Sequence, residues 1–201
     1  MFIKVLEFLR AMPTYVIEHL EEKMWPWCVI EYKHISQTVG KDNVWFTHVH
    51  DKKLHAFGRV SSESAVRLYE QKKLKNICVL DPAAKKLLTP DEAKTFDYFV
   101  FGGILGDDPP RKRTEPELTS KMQGVVARHI GPKQMSTDTA VYVVHGIVAG
   151  KKLSDFKFQD EVEIQLGKNE STILPYRYVV VNGNVWMSEE LLDYLKKRPG
   201  L

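Results

Sequence analysis

The chain has 201 residues, of which 43% are hydrophobic and 27% charged, and its formal net charge is +3. That balance argues against a disordered tail, a membrane protein or a strongly basic nucleic-acid binder, and it supports one folded domain with a proper core. Cys28 and Cys78 stand in apolar surroundings without metal or redox spacing, so both read as buried thiols in a reducing compartment, with the cytoplasm as the expected location.

Residues 1–13 mix Phe2, Ile3, Val5, Leu6, Phe8 and Leu9 with Lys4, Glu7 and Arg10. This stretch is too short for a bilayer span of about 20 residues and lacks a small-residue cleavage site, so it reads as a packing extension. Residues 14–19 combine β-branched and aromatic side chains and predict a first strand, whose end delivers His19, Glu21 and Glu22 to a loop. A helix is expected over 27–39, ended by Gly40, and a strand over 43–49. Residues 50–75 are the least legible, with one helical pattern over 61–73 carried by Ala65, Val66, Leu68 and Tyr69.

Strand character returns over 76–80 and stops at Asp81-Pro82, where Asp81 can bond its own loop backbone. Thr89 then caps a short helix through Lys94, with Pro90 first and Asp91 and Glu92 in the opening turn. Residues 98–101 form an apolar run that breaks into Gly102, Gly103 and Gly106, followed by Asp107, Asp108, two prolines and the cluster Arg111-Lys112-Arg113. A strand over 125–130 ends at Gly131-Pro132, and a helix runs from Ser136 or Thr137 to Ala149. Beyond Lys151 come two alternating segments, 156–166 and 173–181, and a helix over 188–197.

Strands alternating with helices predict an α/β fold with a mostly parallel sheet flanked by helices, and ligand loops at the carboxyl ends of the strands. Three loops stand out: 80–82, 102–107 and 131–138. The glycines do not match a dinucleotide fingerprint, and no phosphate-loop ending follows them. His48, His50 and His55 have no cysteine or carboxylate at ligand spacing, so no metal is expected, and no serine sits in a nucleophile elbow. A cofactor cradle built mostly of backbone remains.

The pieces Val79-Leu80-Asp81-Pro82, 96–107, Pro109-Pro110-Arg111, Arg113-Thr114 and 133–140 together resemble the SPOUT-class methyltransferases, in the branch that includes the fungal arginine methyltransferase of the third small-subunit ribosomal protein. The likeness extends to 16–22 and to Leu174-Pro175-Tyr176-Arg177-Tyr178-Val179, and so covers nearly everything after residue 13 except much of 50–72, as a single domain over 14–201 with 151–201 as its mixed β/α part. It implies S-adenosylmethionine held in a carboxyl half tied as a trefoil knot, an exception to the rule that chains avoid threading. By the same carry-over, Leu80, Gly102, Gly103, Gly106, His129, Ile130, Gln134, Met135, Thr137 and Thr139 would line the cofactor site.

Arginine is a poor nucleophile because its guanidinium stays protonated, so an arginine methyltransferase needs carboxylates to orient the group and accept a proton. Asp107 and Asp138 are the first candidates, with Glu21 and Glu22 as further acidic lining; Asp108 and Glu18 are also within the same segments. The basic cluster 111–113 is the counter-signal, because most enzymes of this class modify RNA and phosphate contacts need cations. With so small a net charge, protein ranks above RNA as the substrate, and the resemblance implies a small-subunit ribosomal protein; RNA, or a non-catalytic role on the ribosome, is the alternative. A monomer is expected, with a homodimer as the other possibility.

Overall fold

The computed structural model describes residues 12–168 and 170–197; apart from Met12 and Pro13, the predicted extension lies outside them. Strands β1 (Thr14–His19), β2 (Val44–Thr47), β3 (Arg59–Val60), β4 (Ile77–Leu80), β5 (Tyr98–Gly103) and β6 (Val126–Arg128) form one sheet in the order β3-β2-β1-β5-β4-β6, every pair parallel. Helices α1 (Pro26–Val39), α2 (Ala65–Glu70), α3 (Pro90–Ala93), α4 (Thr114–Glu117) and α5 (Thr137–Val148) connect or flank them. A second, antiparallel sheet of β7 (Lys157–Gly167), β8 (Glu170–Val181) and β9 (Asn184–Val185) follows, closed by α6 (Glu189–Lys196).

Strand β1 lies in the middle of the parallel sheet, and Tyr15, Val16 and Ile17 are fully buried. Because successive side chains point to opposite faces, Tyr15 and Ile17 pack with Cys28, Tyr32 and Ile35 of α1 and Val141 and Val144 of α5. Val16 joins the other layer with Ala65 and Leu68 of α2, Val79 and Val100. The β7–β8 hairpin and α6 cover α1 from outside, where Ile30 meets Val162, Tyr178, Leu191 and Leu195.

Local chemistry sets the element ends. Thr89 accepts a hydrogen bond from Glu92 N and starts α3, and Asp81 accepts from Ala83 N at 2.8 Å, which turns the chain after β4. The helix expected over 61–73 is shorter because residues 61–63 still follow β2: Ser61 N donates to Phe46 O at 2.9 Å and Val49 N to Ser61 O at 3.0 Å. Ser64 then caps α2 by accepting from Arg67 N.

The expected loop at Gly102 and Gly103 is instead the end of β5, paired with Glu18 and His19 of β1. A Cβ on Gly103 would lie 2.3 Å from the Tyr32 hydroxyl and 3.1 Å from Glu18 O, so the glycine admits α1 against the sheet.

Replacing Gly103 by Ala is expected to cost about 1–3 kcal/mol in a urea melt, because buried Tyr32 has no room to retreat. Gly167→Ala, where an added Cβ meets nothing within 4 Å, is the control and should change stability by less than about 0.5 kcal/mol. Burial pushes the Cys28 and Cys78 thiols up to about 12. Neither should react with a thiol reagent at neutral pH until the chain is unfolded, when both should titrate.

Candidate active site

Parallel strands end on a common edge, so the loops after β4, β5 and β6 converge. Around them lies a cavity of about 280 Å³. Leu80, Gly102, Gly106, Ile130, Gln134, Met135 and Thr137, all singled out in the sequence, line it, and Asp107 stands at its edge. Three other predicted residues stand behind its wall. Gly103 faces Tyr32, the His129 ring accepts from Gly131 N at 3.1 Å, and fully buried Thr139 holds its hydroxyl 2.9 Å from that of Ser136.

Segment 104–113 is tied down from several sides. Gly106 O accepts from the Tyr176 hydroxyl at 2.9 Å, and Asp107 O accepts from Gln134 Nε2 at 3.0 Å. A Cβ on Gly106 would lie 2.4 Å from the Tyr176 ring and 2.9 Å from Gln134 Nε2, so only glycine lets this loop close against β8 and the Gln134 loop. Arg113 donates to Glu21 Oε1 at 2.8 Å, to Leu20 O at 3.1 Å and to Glu117 Oε1 at 2.7 Å, while Glu21 also accepts from Leu105 N.

The predicted carboxylates therefore separate. Glu21 braces the loop through Arg113 and Leu105, and Glu22 is exposed and lines neither this cavity nor its neighbour. Asp107 pairs with Arg111 at 2.6 Å, and that guanidinium holds its carboxyl below the ordinary aspartate value. Asp138 is only 2% exposed; it bonds His34 Nδ1 at 2.8 Å, the Ser136 hydroxyl at 2.6 Å and Thr139 N at 2.8 Å, and lines neither cavity.

A second cavity of about 230 Å³ adjoins the first, with Ile104 and Gly106 in the walls of both. Trp25, Trp27, Tyr176 and Tyr194 surround it, Ser136 closes one side, and Glu31 supplies a carboxylate. Glu31 is 4% exposed and accepts from Trp27 Nε1 at 2.8 Å. Burial pushes its carboxyl well above the usual range and neighbouring Asp138 pushes the same way, against the pull of Trp27 and Thr137. Sequence reasoning passed over Glu31 because it sits among Cys28, Tyr32 and Ile35 on the apolar side of α1; the signal it left was an acid one turn after a tryptophan on a buried stripe.

The parallel six-strand sheet with its site at the carboxyl edge is the SPOUT-class methyltransferase fold. The dual-specific Trm10 of Thermococcus kodakaraensis shares it at 15% identity, with a TM-score of 0.56 over 72% of this chain and 96% of that one. Likeness is far higher to the yeast arginine methyltransferase SFM1, whose crystal structure with S-adenosylmethionine aligns with a TM-score of 0.84 at 36% identity, over 98% of this chain and 96% of that one. In sequence, protein arginine N-methyltransferase SFM1 of Saccharomyces cerevisiae is 38% identical over 200 residues, 91% of this chain and 94% of its own length. The family model "Protein arginine N-methyltransferase SFM1-like" matches residues 14–200, and the chain belongs to that family.

Because the Glu31 carboxyl is raised in the folded state, its ionisation destabilises the fold once pH exceeds the unfolded value of about 4.3. Glu31→Gln should therefore melt at a higher temperature than the native chain at neutral pH, and the gap should close as pH falls below that value.

Proposed function

We propose that the chain transfers the methyl group of S-adenosylmethionine to an arginine side chain of a small-subunit ribosomal protein, as a monomer in the cytoplasm. One observation carries the cofactor half of this reading: three loops far apart in sequence close on one cavity whose lining is largely backbone and apolar side chains. Such a lining suits the ligand, since loop amides and carbonyls meet the polar edges of adenine and ribose while Leu80, Ile130 and Met135 offer apolar walls. Gly103, His129 and Thr139 support that lining from behind.

When bound, the cofactor supplies an electrophilic methyl group on a sulfonium, with a neutral thioether as leaving group. The protein's own tasks are to exclude water, hold the acceptor nitrogen in line and take up a proton. Asp107, which lines the cavity, is assigned to the methyl acceptor. Asp138 and Glu21 act as positioning residues, the first from the opening turn of α5 and the second through Arg113 and Leu105, with Glu22 exposed next to Glu21.

A protein substrate is favoured over RNA by the state of the basic cluster. Arg111 is paired with Asp107, and Arg113 with Glu21 and Glu117, so of the three cations Lys112 alone has no carboxylate partner among the described residues. Phosphate binding draws on uncompensated cations. The threaded carboxyl half belongs to the same reading; it is supported by the interlocking of segments 81–88 and 128–129, where Asp81 N donates to Arg128 O, His129 N to Lys86 O and Leu88 N to His129 O. A monomer fits the exposed large apolar residues Met12, Trp25, Leu87, Val126 and Ile173, which lie far apart in the chain. Among the described residues no helix is long and apolar enough to cross a membrane.

Incubation with labelled S-adenosylmethionine and cell extract tests the substrate class. Label lost to protease and retained after ribonuclease is expected; the opposite pattern would overturn the protein reading. In calorimetry, Gly106→Val should weaken S-adenosylmethionine binding by about tenfold or more, because the added side chain forces Tyr176 and Gln134 apart.

A further inference from the structure

We propose that the second cavity receives the methyl-accepting guanidinium, with the Glu31 carboxylate as its ion-pair partner. The inference rests on the methyltransferase reading and adds to it the residue that grips the substrate.

Position is the first support. Ile104 and Gly106 belong to both cavities, and Gly106 presents backbone without a side chain at the boundary, so the cavities meet across a thin partition. A group held in the second cavity is thereby placed beside one held in the first. Shape is the second support. Trp25, Trp27 and Tyr176 give aromatic faces, against which a planar, weakly hydrated guanidinium stacks better than a neutral polar side chain.

Charge is the third. A buried carboxylate is costly unless a cation pairs with it. The groups that hold Glu31, the Trp27 indole and Thr137, are neutral, and no ion pair engages it among the described residues. Asp138 brings a second buried acid close by, with His34 as its partner. Of the other candidate acids, Asp107 is engaged by Arg111, Glu21 by Arg113, and Glu18 by the Thr47 hydroxyl and Ala65 N, while Glu22 and Asp108 are exposed and line neither cavity. Glu31 is the acid whose surroundings are completed by an incoming guanidinium. In the transfer, the acceptor nitrogen gains the methyl carbon, the sulfonium sulfur keeps the electron pair of the broken S–CH3 bond, and the displaced N–H proton passes to the Glu31 carboxylate.

The test titrates N-acetyl-arginine amide into the full chain without cofactor while following tryptophan fluorescence, since Trp25 and Trp27 line the cavity. A saturable change is expected in the native chain, and none with the neutral isostere N-acetyl-citrulline amide. Glu31→Gln should bind the arginine probe about tenfold to a hundredfold more weakly. It should also keep native S-adenosylmethionine affinity by calorimetry while methyl transfer falls by a similar factor or more. Trp25→Ala, at a position 42% exposed, should leave the melting temperature unchanged and still weaken the probe several-fold. Native probe affinity in Glu31→Gln, or equal binding of the citrulline isostere, would overturn the acceptor pocket alone. Absence of S-adenosylmethionine affinity in the native chain would overturn the methyltransferase reading beneath it.

Discussion

The approach of α1 to the end of β5 governs the rest of the site. At Gly103 the Tyr32 hydroxyl occupies the place of a missing Cβ, 2.3 Å from where that carbon would stand, and the same hydroxyl lies 2.8 Å from His19 Nδ1. Strands β1 and β5 and helix α1 are thus locked at one point on the carboxyl edge of the sheet. One residue before Tyr32, Glu31 turns into the second cavity; three residues beyond Gly103, Gly106 borders both cavities. A bulkier residue at 103 would move these walls together, which is how a residue outside both cavities sets their separation.

Electrostatics divides the same region into a rim of closed ion pairs and an interior in which Glu31 has no ion-pair partner among the described residues. Around the rim, Asp107–Arg111 and Arg113 with Glu21 and Glu117 form closed pairs that stiffen the loop after β5. Inside, Glu31 and Asp138 are nearly fully buried on the α1–α5 side of the sheet, and burial pushes the Glu31 carboxyl up; Glu18 is buried on the α2 side, where Thr47 and Ala65 N bond it. The His19 imidazole, which burial pushes down, does not offset them. A formal charge of +3 over the whole chain therefore conceals an acidic interior beside the proposed cofactor cavity. An arginine side chain brings the charge that this interior lacks.

Much of this was legible in the sequence because it depends on short-range rules. Strand β1 followed from β-branched and aromatic residues, α3 from the Thr89 cap and Pro90, and the three converging loops from the glycines and prolines at strand ends. What escaped depends on contacts distant in the chain. Gly102 and Gly103 read as loop because the approach of Tyr32 leaves no trace near them in sequence, and residues 61–63 read as helix because their bonds to Phe46, His48 and Val49 are tertiary. Asp138 looked like a loop acid beside the cofactor, whereas it is buried in the first turn of α5 and pairs with His34, which stacks on Trp186 at 4.2 Å. Glu31 left a signal as an acid on the buried stripe of α1, but the cavity it lines is closed by Ser136, Tyr176 and Tyr194, all distant in the chain.

The proposed cofactor site, built by three separated loops acting as one, is tested most directly by backbone amide shifts on titration with S-adenosylhomocysteine. The amides of Leu80 and Asp81, of Gly102 to Asp107, and of Ile130 to Thr137 should shift together along one saturation curve, with β7 and α6 unmoved. Saturable binding whose shifts fall elsewhere, or on only one of the three loops, would contradict it.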